Sequence, residues 1–386
     1  MSKSISIFGS TGSIGQNTVS IIKNNPEQFS VLALVAKSNF SLLAKQVRQL
    51  RPKYVVIANE DKYQELKSLL SDLKGIEILA GFEAILDIAK IKCDLVISAI
   101  VGSIGMKPTL TAIRAGSNIA LANKESLVCG GDFLIKEAQK SGSKIIPIDS
   151  EHNAIFQIFE KDNLQNISNI ILTASGGPFF SGNHDLSKVT IADAVNHPNW
   201  SMGAKVSIDS ATMMNKGLEL IEAYYLFPIE IDQLKAVVHP QSIIHGMVNY
   251  KDGSTLAMMS YPDMKVPISY ALSYPKRMST EVEKLDFIAM KKLEFFAIDE
   301  KIFPAVNLCL ESLKKGGNMP IVLNAANEIA VNGFLENKLA FNKIVDFIKT
   351  MLDKVEFLKL SSAEDIIDYD FLIKRKAQDL LLTKIS

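Results

Sequence analysis

The feature that most restricts the fold of this chain is a short apolar segment, residues 4–8, running straight into three evenly spaced glycines, Gly9, Gly12 and Gly15. Behind them residues 16–23 carry the apolar periodicity of a helix. A strand followed at once by a glycine turn and a helix opens a parallel sheet, because the next parallel strand is reached only through a crossover of this kind. The pattern then repeats. Residues 31–35 read as a second strand and 41–49 as a helix, with further buried strands at 54–57, 94–100 and 118–121. Strands alternating with helices predict a doubly wound, Rossmann-like α/β domain.

The glycines are spaced G-x-x-G-x-x-G, and small residues there let the backbone approach a pyrophosphate at a helix N-terminus. An ordinary strand-to-helix turn is the alternative, but the position behind the first strand favours a nucleotide. A site for NAD wants a carboxylate at the end of the second strand, where it binds the ribose 2′-hydroxyl. This chain has Lys37, Ser38 and Asn39 there instead. One cation and two hydrogen-bonding side chains suit a 2′-phosphate, so NADPH is favoured over NADH. A solvated surface lysine is the other reading of Lys37, and it leaves the missing acid unexplained. At the end of the strand 118–121, Asn123 and Lys124 are placed to touch cofactor or substrate, with Glu125 in a helical first turn.

Two acidic segments lie downstream. The apolar run 144–148 ends in Asp149-Ser150-Glu151. Residues two apart in extended backbone point the same way, so both carboxylates can face one ion. Such hard oxygen ligands suit Mg²⁺ or Mn²⁺, and the five histidines show no zinc-ligand spacing. The alternative is that Asp149 or Ser150 caps a helix starting near Asn153. From Ser207 the chain predicts a helix opened by Asp209 or Ser210, on which Asn215, Lys216 and Glu219 share a face. That grouping suits a phosphorylated polyol and offers a third metal ligand. Glu222 stays open as a candidate, and a surface Lys216–Glu219 ion pair is the plainer alternative. Ser175-Gly176-Gly177 can form an anion-binding nest. Residues 196–203 hold His197 and the single tryptophan, Trp200, between Pro198 and Gly203. They predict a lid that excludes water, with a buried anchor as the alternative.

Composition narrows the class. Lys+Arg and Asp+Glu are equal at 42 each, so nothing global steers the chain to nucleic acid or membrane. The three cysteines lie far apart without a C-x-x-C, as buried thiols of a cytoplasmic protein do. The first residues lead directly into a strand and leave no room for a leader. No apolar run approaches the roughly eighteen residues of a membrane span.

Taken in order, several of these segments resemble the 1-deoxy-D-xylulose 5-phosphate reductoisomerase family. They are Gly-Ser-Thr-Gly-Ser-Ile-Gly at 9–15, Ala-Asn-Lys-Glu-Ser at 122–126, Pro-Ile-Asp-Ser-Glu-His at 147–152 and Ser-Gly-Gly-Pro-Phe at 175–179. His-Pro-Asn-Trp-Ser-Met-Gly at 197–203, Asn-Lys-Gly-Leu-Glu at 215–219, His-Pro-Gln-Ser at 239–242 and Leu-Asn-Ala-Ala-Asn-Glu at 323–328 continue the series. The resemblance implies NADPH- and metal-dependent rearrangement and reduction of 1-deoxy-D-xylulose 5-phosphate to 2-C-methyl-D-erythritol 4-phosphate, in the non-mevalonate isoprenoid route. Mg²⁺, Mn²⁺ or Co²⁺ is the implied metal. It further implies metal ligation by Asp149, Glu151 and Glu219, and catalytic roles for Lys124 and Glu151. Substrate contacts are implied from Lys124, Ser150, Glu151, Ser175, His197, Ser210, Asn215, Lys216 and Glu219. Thr11, Gly12, Ser13, Ile14, Asn123, Glu125 and Gly203 are implied at the NADPH site, beside Lys37, Ser38 and Asn39. Here the chain departs from the family, since Lys37 stands where a glycine is usual and Ser38 where a basic residue is usual.

The expected division is an NADPH-binding domain at 1–149, a catalytic and dimerisation α/β domain at 150–273, a connector at 274–299 and a C-terminal helical bundle at 300–386. A homodimer joined through the middle sheet follows from the resemblance. Two rivals are an NADP-linked dehydrogenase of another phosphorylated keto sugar, without rearrangement, and a nucleotide-sensing regulator without turnover. Dependence of turnover on metal separates all three.

Overall fold

Short segments rich in Ile, Val and Leu build the first sheet, and because both its faces are covered most of them show no polar alternation. The computed structural model describes residues 2–182, 184–200 and 202–385. They separate into two units: 1–126 with 132–153 and 263–282, and 127–131 with 154–262 and 283–386. In the first unit lie β1 (Lys3–Phe8), β2 (Phe29–Ala36), β3 (Tyr54–Ile57), β4 (Glu77–Ala80), β5 (Leu95–Ser98), β6 (Asn118–Leu121) and β7 (Ile145–Pro147). All pair in parallel, in the order β4-β3-β2-β1-β5-β6-β7. Ile5, Ile7, Leu34, Val55, Leu95 and Ile97 have no exposed surface. The doubly wound sheet expected from the sequence is therefore present.

Strand order reverses between β1 and β5, and this is where open α/β sheets form a ligand crevice. The loops leaving these two strands nearly touch. A Cβ on Gly9, whose φ is +91°, would lie 2.4 Å from the Ala99 carbonyl oxygen. The segment 263–282 belongs to this unit, whereas the sequence division puts 263–273 in the middle domain and the rest in a connector. Its helix Lys265–Ser273 packs on helix Ser13–Lys23 and on β6 and β7, and Lys3 Nζ donates to the Leu272 carbonyl at 2.9 Å.

The second unit holds β8 (Ile167–Ala174), β9 (Leu234–Val238), β10 (Ile244–Tyr250) and β11 (Thr255–Met259). Their order is β11-β10-β8-β9, antiparallel except for β8 with β9. Helix Met214–Leu226 lies on β8 and β9 and against helix Ala305–Lys315. That approach is close because residue 217 is glycine: a Cβ there would sit 2.5 Å from Cys309 Sγ. Helix Met319–Leu335 packs on Ile344–Lys354 and Ala363–Ile385, so helices dominate the described residues from Ala305 to Ile385 as the sequence predicts. No helix among the described residues is long and apolar enough to cross a membrane.

Two local expectations need correction. The backbone at Asp149 to Glu151 is not extended, because β7 stops at Pro147 and helix Ser150–Ile158 begins three residues later. The run from Ser207 is not one helix opened by Asp209 or Ser210. Helix Ala204–Ala211 ends there, Met213 takes a left-handed φ of 61°, and helix Met214–Leu226 follows.

Candidate active site

In the first unit the glycine loop is backbone work. Gly12 caps helix Ser13–Lys23 without any side-chain cap, and the first turn carries no acid. Gly12 and Ser13 are exposed, with Thr11 and Ile14 half-buried, so the helix N-terminus presents amides to solvent. Gly15 is fixed from the other side: a Cβ would lie 2.3 Å from the Gly9 carbonyl oxygen. Gln46 Nε2 holds the loop by donating to the Ser10 carbonyl at 2.8 Å. Beyond β2, Lys37, Ser38 and Asn39 are all exposed, as a 2′-phosphate site requires. Asn39 has a structural task as well, its Oδ1 accepting from Leu42 N at 3.1 Å as the cap of helix Phe40–Leu50.

At the end of β6, Asn123 is buried and committed on both sides of its amide. Its Nδ2 donates to the carbonyls of Ile100 and Gly102, and its Oδ1 accepts from Ser126 N at 2.8 Å. This ties the loop after β5 to the start of helix Lys124–Ser141. The side chain expected at the cofactor therefore positions the loops, and Lys124 follows it directly. Glu125, in the helix's first turn, is 5% exposed.

Lys124 Nζ is ion-paired with Asp149. Asp149 precedes helix Ser150–Ile158, and its carbonyl accepts from Asn153 N at 2.8 Å, which makes it the first acceptor of that helix. Glu151 lies in the first turn, where the helix dipole favours an anion. Ser150 Oγ donates to Glu151 Oε2 at 2.5 Å. The cap reading of Asp149 and the ligand reading are thus compatible, and the turn of a helix, not an extended strand, brings the two carboxylates together. Their oxygens lie within 4.8 Å of each other. Two negative charges so close favour a cation between them. The donor set is all oxygen and fits a hard divalent ion.

In the second unit the site is made of side chains. Asn215 Nδ2 and Lys216 Nζ both donate to Glu219, one to each carboxylate oxygen, so the three residues share the helical face that spacing predicts. The pair is no surface ion pair, since Lys216 is 3% and Glu219 1% exposed. Glu222, one turn on, is wholly buried. Ser175-Gly176-Gly177 turns with φ of +89° and +67° at the glycines. A Cβ on Gly177 would lie 2.8 Å from the Ser210 carbonyl oxygen, so glycine there brings the turn down on Ser210.

His197 joins this cluster in one defined tautomer. Its Nδ1 accepts from Asn199 N at 3.1 Å and Trp200 N at 3.0 Å. A nitrogen that receives two amide protons carries none, so the proton of the neutral ring is on Nε2, 2.8 Å from Ser175 Oγ. Burial pushes the His197 pKa down and keeps the ring neutral. Ser175 Oγ then accepts from His197 and, at 3.3 Å, from Gly177 N. Its own proton is left to point outward, toward an acceptor. Gly203, exposed at the N-cap of helix Ala204–Ala211, has nothing within 4 Å of an added Cβ.

The loop with Trp200 is neither helix nor strand, as expected, and sequence reading missed what fastens it. Asn199 Nδ2 donates to the Pro240 carbonyl at 2.5 Å and to Ser242 Oγ at 3.1 Å. Trp200 meets His245 edge-on, with ring centroids 6.2 Å apart. Burial lowers the His245 pKa to about 4, with the Lys216 charge acting the same way. The His-Pro-Gln-Ser run at 239–242 was the available signal for the Asn199 anchor. His245, alternating within β10, gave none.

Comparison with known proteins identifies a family. Residues 5–131 match the family described as 1-deoxy-D-xylulose 5-phosphate reductoisomerase, 145–227 its C-terminal domain, and 259–376 a further DXP reductoisomerase C-terminal domain. The chain is 47% identical to the 1-deoxy-D-xylulose 5-phosphate reductoisomerase of Chloroherpeton thalassium over 98% of both chains. It is 47% identical to that of Zymomonas mobilis over 95% of both. Among solved structures, the Zymomonas mobilis enzyme in complex with NADPH superposes with a TM-score of 0.93 at 44% identity, covering 99% of both chains. A DOX-P reductoisomerase in complex with NADPH, fosmidomycin and magnesium does so with a TM-score of 0.93 at 40% identity, covering 98% of both.

Proposed function

The chain belongs to the 1-deoxy-D-xylulose 5-phosphate reductoisomerase family, and from that premise we propose which of its residues carry the reaction. The activity is conversion of 1-deoxy-D-xylulose 5-phosphate with NADPH and a divalent metal. Asp149, Glu151 and Glu219 are the metal ligands in this reading. Bound there, Mg²⁺ or Mn²⁺ supplies Lewis acidity toward the substrate's ketone and hydroxyl oxygens, and NADPH supplies the hydride. The observation that carries the metal assignment is the close approach of the Asp149 and Glu151 carboxylate oxygens.

The remaining roles follow from what each side chain offers. Lys124, charged beside Asp149, orients substrate hydroxyls and holds a proton near Glu151 and Ser150. Ser175 turns its hydroxyl proton to the phosphate, since His197 and Gly177 N occupy its acceptor side. Ser210, Asn215 and Lys216 complete the phosphate end and neighbouring hydroxyls, and Glu219 faces substrate as well as metal. Thr11, Gly12, Ser13 and Ile14 receive the NADPH pyrophosphate on backbone amides, and Lys37 with Ser38 and Asn39 receives the 2′-phosphate. Asn123 shapes the cofactor crevice through the loops it binds, next to Glu125, while Gly203 offers an open backbone to the cofactor. The Trp200 loop excludes water from reactive fragments.

A homodimer formed through the second sheet belongs to the same reading. It is supported by β11, an edge strand with Leu256 exposed. Three buried cysteines in thiol form support a cytoplasmic setting. The test is loss of the NADPH absorbance band on adding 1-deoxy-D-xylulose 5-phosphate, with Mg²⁺ and then with chelator. Metal-dependent oxidation that yields a branched tetrol phosphate is expected; oxidation indifferent to chelator would remove the metal site from the mechanism.

A further inference from the structure

We propose that Asn327, on helix Met319–Leu335, is a positioning residue for the reaction, acting through Asp209 on helix Ala204–Ala211, which carries Ser210. The inference rests on the reading of Ser210 as a substrate-holding residue. Asn327 Nδ2 donates to Asp209 Oδ1 at 2.9 Å, and Lys205 Nζ pairs with Asp209 Oδ2 at 2.8 Å. Asn327 is wholly buried and Asp209 is 1% exposed. The two residues are 118 positions apart in sequence. A charge-assisted bond between buried groups is strong and directional, so it sets the rotation of helix Ala204–Ala211 about its axis. That rotation decides where Ser210 faces. It also decides where the Ser175-Gly176-Gly177 turn rests, because Gly177 sits directly on the Ser210 carbonyl.

A second observation separates placement from mere packing. Asn327 Oδ1 is buried without a hydrogen-bond partner among the described residues. An orphaned carbonyl oxygen is a cost that an apolar side chain of the same size would not incur. The residue therefore weakens its own surroundings while its single bond goes to the carboxylate beside Ser210. The neighbouring helix Met214–Leu226 is held separately, by Gly217 against Cys309. The left-handed Met213 forms the joint between the two site helices, so each is fixed from behind on its own.

The test compares Asn327→Leu and Asn327→Asp with the parent protein, each with its metal. Asn327→Leu removes the donor and the orphaned oxygen together. The expected result is a KM for 1-deoxy-D-xylulose 5-phosphate raised about tenfold, a KM for NADPH within about twofold, and unchanged circular dichroism. Asn327→Asp sets a second carboxylate against Asp209, beside Lys205 and the Cys309 thiol. The added carboxyl holds its proton to higher pH than usual there. When protonated it donates to Asp209 as the amide did, so the sugar-phosphate KM, relative to the parent at the same pH, returns toward normal as pH falls. Should Asn327→Leu fail to fold, this pH-dependent recovery decides alone. A parent-like KM in Asn327→Leu, a parallel rise of both KM values, or no recovery at low pH would overturn the inference. Absence of metal-dependent turnover in the parent protein would instead overturn the reading of the site.

Discussion

The glycine loop at residues 9–15 and the cluster from Ser175 to Glu219 are built from opposite materials. The loop offers backbone amides, and its side chains matter by their absence: Gly9 and Gly15 have no room for a Cβ. The cluster offers side chains, and each is held by another. His197 is fixed by the amides of Asn199 and Trp200, and Glu219 by Asn215 and Lys216. The first region therefore fails when atoms are added, whereas the second fails when a partner is removed. Changes in either region sharpen that distinction.

The largest effect is expected at Glu219. Glu219→Gln removes the charge that the proposed metal site needs and the carboxylate to which buried Lys216 donates. Turnover should fall by about a thousandfold or more. Loss of the buried pair should cost about 3 kcal/mol of stability. NADPH affinity, which in the proposed reading depends on the glycine loop in the other unit, should stay close to normal in a fluorescence titration. Unchanged turnover would remove Glu219 from the ligand set.

Next in size is a pair of changes in the loop. Gly9→Ala forces a side chain into a left-handed backbone and onto the Ala99 carbonyl, at about 2–5 kcal/mol in strain and overpacking. Gly12→Ala should behave differently. At its φ of −76° a side chain is unstrained, and its Cβ would lie 3.4 Å from the Gly9 carbonyl oxygen. Gly12→Ala should therefore melt near the parent temperature yet bind NADPH more weakly, because the new methyl stands at the proposed pyrophosphate site. Equal melting temperatures for the two variants would break the contrast.

The same difference explains what was legible in the sequence. Backbone sites announce themselves locally: a strand, three spaced glycines and a helix lie within one short stretch, as do Lys37, Ser38 and Asn39 after β2. Asn215, Lys216 and Glu219 were equally local, and helical spacing alone puts them on one face. Asp149 and Glu151 were paired for a mistaken reason, since a cap residue and a first-turn residue meet as readily as two strand residues do. The break at Met213 was illegible. Nothing in methionine's own preferences ends a helix, and the left-handed joint is set by packing of the flanking helices. Asn327 stands in the sequence only as part of a motif, because its partner Asp209 is reached through tertiary structure. His197's tautomer depends on two amides that no pattern marks.

The smallest effect concerns pH, and it turns on His245. Burial holds its pKa at about 4 in the folded protein, against 6.5 for the ordinary side chain. Above pH 6.5 neither the folded nor the unfolded chain binds this proton, so stability is unaffected. As pH falls from 6.5 toward 4, the unfolded chain takes up a proton that the folded one refuses, and stability is lost. At pH 5 the loss from this residue is about 2 kcal/mol. His197 and His239, both shifted down by burial, add smaller losses of the same sign. Hydrogen exchange at pH 5 and pH 8, corrected for intrinsic rates, should show easier opening of β10 at the lower pH. Helix Ser13–Lys23 contains no histidine or acid and should show far less change. In His245→Gln the β10 difference should shrink to what the other two histidines contribute. A parent protein in which β10 and the helix Ser13–Lys23 lose protection equally would mean that the two regions open as one, and the contrast in their construction would then have no energetic counterpart.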